Sequence, residues 1–320
     1  MPPRSTAGPA LVDPKSLMAI RNLEFRARIV VEGFWNGLHR SPYHGFSVEF
    51  TEFRQYSPGD DLRYLDWRVF ARSDRFYIKK FEDETNLRCH LLVDHSRSMG
   101  YGSLAYTKSE YANTLAATLA YFLFKQGDAV GLVTFDEELR DILPARNRAG
   151  HLRQLMLALE RPVAGRSTDF KLPLTRVLQM VRKRGVVVLI SDLLAPLMDL
   201  ERALGELCAF GHEPLVFHLL DPAEASFKFD QAAIFEDVED GRKLYVDPIT
   251  VRKAYIGKLR EHCQAAQRIC EQRGIGYVLL TTDRPLEFAL FDFMRKRMER
   301  GKRRRTEASS SRGETMRVIE

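Results

Sequence analysis

The stretch Leu87-Arg88-Cys89-His90-Leu91-Leu92-Val93-Asp94-His95-Ser96-Arg97-Ser98-Met99-Gly100 joins an apolar run to a polar loop. From Leu87 to Val93 it reads as a strand, and at Asp94 the apolar run stops on a carboxylate followed by two hydroxyls, Ser96 and Ser98. Near-continuous aliphatic strands belong to parallel sheets buried on both faces. In such open α/β sheets ligands bind beyond the carboxyl ends of the strands, which is where this Asp and these Ser residues fall.

The chain after Asn86 alternates strand and helix signals, the pattern of a parallel sheet with helices on both faces. A helix is expected from about Ala105 to Lys125, then a strand Ala129 to Phe135 with Leu139 to Leu143 pairing beside it. Helices follow around Gly150 to Leu159 and Phe170 to Lys183. The β-branched run Val186 to Ile190 is the expected sheet centre, and it ends in Ser191-Asp192. Beyond it come a helix near Met198 to Phe210, a strand Pro214 to Leu220 and a hairpin within Phe227 to Val246. A long helix Pro248 to Arg273, a strand Tyr277 to Thr281 and a helix from about Pro285 complete the unit. Upstream, Pro14 to Glu32 reads as a helix punctuated by Gly33 and Gly37, Gly45 to Phe53 as a strand, Ser57-Pro58-Gly59 as a turn, and Arg75 to Phe81 as a strand. The expected organisation is an N-terminal α+β extension over 1–86, an α/β domain with a doubly wound, mostly parallel sheet over 87–300, and a basic, disordered tail over 301–320.

Composition narrows the function classes. The chain has 320 residues, a hydrophobic fraction of 45% and a formal net charge of +6, part of which is concentrated between Arg295 and Arg305. No apolar run approaches the ~20 residues of a membrane span, and the Pro-, Ser- and Ala-rich start has no secretory signal, so cytoplasmic residence is the expectation. The four cysteines form no C-x-x-C pair and lack His at zinc spacing, against a disulfide framework or a structural zinc.

Three loops at the same sheet edge carry the polar chemistry: Asp94-His95-Ser96-Arg97-Ser98, Gly165-Arg166-Ser167-Thr168-Asp169 and Ser191-Asp192. Mg2+ takes six oxygens at about 2.0–2.1 Å and retains several waters. Two serine hydroxyls, a threonine hydroxyl and two carboxylates suit it, with Mn2+ or Ca2+ as alternatives. With so much of the shell neutral, the ion would stay electron-poor, and a carboxylate from another protein could complete it.

This triplet resembles the metal-ion-dependent adhesion site of von Willebrand factor A domains: Asp94, Ser96 and Ser98 match the first motif, Thr168 the second and Asp192 the third. Leu193 stands where many relatives have glycine. Upstream, Gly45-Phe46-Ser47-Val48-Glu49-Phe50 and Arg54-Gln55-Tyr56-Ser57-Pro58-Gly59-Asp60-Asp61-Leu62-Arg63-Tyr64-Leu65-Asp66-Trp67 resemble the signature of the bacterial family named domain of unknown function 58. The resemblance implies a von Willebrand factor A-like, Rossmann-type fold and a protein-binding role. It also implies a MoxR-type AAA+ ATPase as a candidate partner.

Other uses of the same residues are open at this point. Ser96, Ser98 and Thr168 could cap helices, although capping would not account for aspartates closing the two most aliphatic strands. A metal-dependent hydrolase would need a general base, and only Asp169 or His95 is placed for it. The charges between Arg54 and Arg72 nearly balance and read as ion-paired packing. No Walker loop and no G-x-S-x-G elbow occurs, so the expectation is a binding module and no enzyme. The basic cluster could contact nucleic acid or an anionic surface, but it lacks aromatics after Phe293, which makes nucleic acid an unfavoured partner.

Overall fold

In the computed structural model, the described residues are 11–40, 52–55, 77–80, 87–162, 175–177, 181, 183–229, 233–236 and 243–297. The strands in chain order are β1 (Glu52–Gln55), β2 (Tyr77–Lys80), β3 (Arg88–Asp94), β4 (Ala129–Phe135), β5 (Leu139–Arg146), β6 (Val186–Ser191), β7 (Glu213–Leu220), β8 (Ala233–Glu236), β9 (Lys243–Val246) and β10 (Gly276–Thr281). Six of them form one sheet in the order β10-β7-β6-β3-β4-β5. All neighbours are parallel except β5, which runs antiparallel to β4. The burial pattern explains the order. Every residue of β6 is buried, as a strand covered on both faces must be, whereas β5 alternates exposed and half-buried positions and takes the edge. This is the doubly wound, mostly parallel, von Willebrand factor A-like architecture expected from the sequence.

The helices are α1 (Pro14–Met18), α2 (Leu23–Arg40), α3 (Lys108–Lys125), α4 (His151–Leu159), α5 (Leu197–Ala209), α6 (Pro222–Ser226) and α7 (Pro248–Gln272), with a further helical stretch over 286–297. Helix α3 is apolar nearly all round, and a helix of that kind belongs in a core. Ala112, Ala116, Ala117 and Ala120 are all fully buried. Thr107 and Glu110 close a reciprocal capping box at its start. Against it lies α2, which buries Ala27, Val30, Val31 and Phe34, one face at helical spacing. Phe34 meets Phe122 of α3 edge-on at 5.9 Å between ring centroids. The N-terminal helix therefore packs in the same core as one face of the main sheet.

One expected element is corrected. The apolar pattern from Pro14 to Glu32 is two helices, capped separately: Asp13 accepts the amide of Ser16, and Asn22 Oδ1 accepts the amide of Phe25 at 2.7 Å. The second helix then runs through Gly33 and Gly37 to Arg40, because an interior glycine costs only about 1 kcal/mol and the buried face of α2 outweighs it. The hairpin expected within Phe227 to Val246 is present as antiparallel β8 and β9. All four cysteines are free. Among the described residues no helix is long and apolar enough to cross a membrane. The expected turn at Ser57 to Gly59, most of the helix Phe170 to Lys183, and the tail 301–320 lie outside the described residues.

Candidate functional site

From β3 the chain moves outward to β4 and β5, then returns to lay β6 on the other side of β3. The crevice between β3 and β6 is thus the switch point of the sheet, the place where doubly wound folds bind ligands. Asp94 ends β3 and Asp192 directly follows β6, so the two expected carboxylates stand side by side there, and both are fully buried.

The hydrogen bonds that Asp94 accepts come from neutral donors. Its Oδ1 takes the backbone N–H of Ser96 at 2.8 Å, and its Oδ2 takes the hydroxyl of Ser191 at 2.6 Å. Burial, and then the neighbouring Asp192, push its carboxyl up to about 7 despite these bonds. Ser96 and Ser98 point their hydroxyls at each other, 3.1 Å apart. Ser96 sits at the start of the short 3-10 helix Arg97–Gly100 but makes no side-chain capping bond, so the capping use of this hydroxyl is not what the structure has.

Ser191 links the two loops. Besides donating to Asp94, its oxygen accepts the N–H of Leu193 at 3.0 Å. Leu193 has φ 54°, a left-handed conformation that a residue with a Cβ adopts only under constraint. Its side chain is fully buried, and its carbonyl accepts from His262 Nε2 at 3.0 Å. Asp192 in turn faces a cation. Lys108 Nζ lies 2.9 Å from Asp192 Oδ2 and 2.7 Å from Glu224 Oε1, with the Lys108 and Asp192 side chains wholly inaccessible. Burial works against the charge of Lys108, but Asp192 and Glu224 together outweigh it and raise its pKa.

The sequence matches the model of the family described as "Protein of unknown function DUF58" over residues 52–265, about two thirds of the chain. The chain belongs to this family. Among relatives, the uncharacterized protein Rv1480 of Mycobacterium tuberculosis (strain H37Rv) is 29% identical over 278 residues, covering 85% of this chain and 86% of that one. The uncharacterized protein YeaD of Bacillus subtilis is 26% identical over 117 residues, 36% of this chain and 27% of its own. Of solved structures, BatB from Bacteroides thetaiotaomicron has 14% identity and a TM-score of 0.45, covering 66% of this chain and 99% of that one. The SpRpn10 VWA domain has 13% identity and a TM-score of 0.38, covering 64% and 93%. Superpositions this loose carry no weight for function, and the fold stands on the strand order itself.

Within this DUF58 chain, the structure brings together Asp94, Ser96, Ser98 and Asp192, while Thr168 and Asp169 lie outside the described residues. His95 is buried, with Nε2 2.9 Å from Asn113 Oδ1. Its pKa is lowered, chiefly by burial. The donors present fit a hard divalent ion: the hydroxyl oxygens of Ser96 and Ser98, and two buried carboxylates, of which Asp94 is hydrogen-bonded by the neutral Ser96 and Ser191. Bound there, such an ion would supply positive charge and an open position for an external oxygen. Sequence reasoning missed Ser191, Lys108 and Glu224. A lysine just inside the Thr107 capping box was the available signal, since the start of a helix disfavours a cation.

Proposed function

We propose that this chain is a metal-dependent protein-binding module, adaptor or co-chaperone-like. Asp94, Ser96, Ser98, Thr168 and Asp192 hold Mg2+, and a carboxylate side chain of the partner completes its coordination. The observation that carries the reading is Asp94: a fully buried carboxylate beside a second one, hydrogen-bonded by neutral groups, at the switch point of the sheet. Unpaired buried charge is costly, and a divalent ion relieves it while leaving room for an outside ligand. The family resemblance supports a MoxR-type AAA+ ATPase as the candidate partner. Captured on immobilised full-length chain, the ATPase is expected to bind in Mg2+ and to be lost both in chelator and with Asp94→Ala. Equal retention under all of these conditions would place the binding surface elsewhere.

A further inference from the structure

Lys108 occupies a position that ordinary physical preferences argue against. It is the first residue of α3, where the helix dipole disfavours a cation, and its side chain is entirely removed from water, which disfavours any charge. The surroundings nevertheless fix it from several sides. Its own N–H donates to the carbonyl of Tyr101 at 2.8 Å, and Thr107 caps the turn that carries it. Glu224, its second carboxylate, is anchored by the opposite oxygen to the N–H of Asp221 at 2.8 Å. Asp221 is in turn held to the loop before α3 by the amide of Ser103, also at 2.8 Å. The ammonium therefore cannot leave Asp192 for solvent without disturbing α6 and the loop before α3.

Resting on the reading of the site given above, we propose that Lys108 sets the affinity of the cation site: it is a tethered ammonium that occupies one oxygen of Asp192 and opposes an incoming divalent ion. The charge pattern carries the argument. Among the described residues, three carboxylates, Asp94, Asp192 and Glu224, stand around one cation, so the site still attracts a divalent ion but does so against Lys108. The same ammonium keeps Asp192 paired when no ion is bound, so the fold does not depend on the metal. A site with this arrangement loads and unloads its ion, in contrast to a structural metal centre, which folding requires.

The test is calorimetric titration of Mn2+ into the full-length chain as wild type, Lys108→Met, Glu224→Gln and Asp94→Ala. Lys108→Met keeps an apolar stem and removes the charge; it is expected to bind Mn2+ at least about tenfold more tightly than wild type, from the loss of a short-range repulsion. Glu224→Gln removes one of the two carboxylates paired with Lys108 and leaves Asp192 to it, and is expected to weaken binding at least about threefold by the same electrostatics; it covers the case in which Lys108→Met does not fold without metal. Unchanged or weaker binding by Lys108→Met, or unchanged or tighter binding by Glu224→Gln, overturns the role of Lys108 while leaving the metal site standing. No saturable binding by any variant, wild type included, overturns the site and this inference together.

Discussion

Leu193 poses a balance of opposing terms that can be measured. Its left-handed backbone, φ 54°, costs an L-residue roughly 1–2 kcal/mol, yet its side chain is fully buried in an apolar cluster with Leu189, Leu200 and Leu204. Replacement by glycine removes the backbone cost, loses about 2–5 kcal/mol of packing, and adds about 0.4–1 kcal/mol of unfolded-state entropy. Packing wins, and Leu193→Gly is expected to be destabilised by about 2–3 kcal/mol. Leu193→Ala loses comparable packing and keeps the backbone cost, so it should be less stable than Leu193→Gly by about 0.5–1 kcal/mol. That ranking is the reverse of the one found inside helices. Urea denaturation of the three chains, followed by far-ultraviolet circular dichroism in chelator, reads both differences. An alanine variant as stable as the glycine variant, or a glycine variant as stable as wild type, would show that backbone strain and packing do not balance in this way at Leu193.

Two further outcomes follow from the same geometry. Ser191→Ala removes the hydroxyl that donates to Asp94 and accepts from Leu193, and leaving those buried groups short of a partner should cost about 1–3 kcal/mol in the metal-free chain, read from the shift in urea midpoint. His90, in the middle of β3, is held down to about 4 by burial first and then by His212 and Arg88. Because its folded value lies below the unfolded one of about 6.5, its contribution is present in full above pH 6.5 and is lost as pH falls toward 4. The effect is at most about 3 kcal/mol; urea midpoints between pH 7 and pH 4 should fall less steeply for His90→Gln than for wild type, and parallel curves would count against it.

The fold was legible where burial imposes a pattern. Strands covered on both faces leave aliphatic runs such as Val186 to Ile190, and the aspartates that interrupt two such runs marked the site. The break between α1 and α2 was not legible, because the apolar periodicity continues across Ala19 to Asn22 and only the Asn22 side chain, by capping, divides it. Ser191 passed as the last residue of a strand, since nothing local shows that its hydroxyl turns toward Asp94, 97 residues earlier. Lys108 gave one local sign, a cation at the start of a helix, and that sign names no partner. A lysine at a helix start reads as solvated unless its partners are known, and here they lie 84 and 116 residues away.

Whether Asp94 and Asp192 frame a site for a divalent ion is read by titrating Mg2+ into metal-stripped full-length chain and into Asp94→Ala by calorimetry. One saturable site is expected in the wild type and none in the variant. Indistinguishable heats from the two chains, whether both saturate or neither does, would contradict such a site.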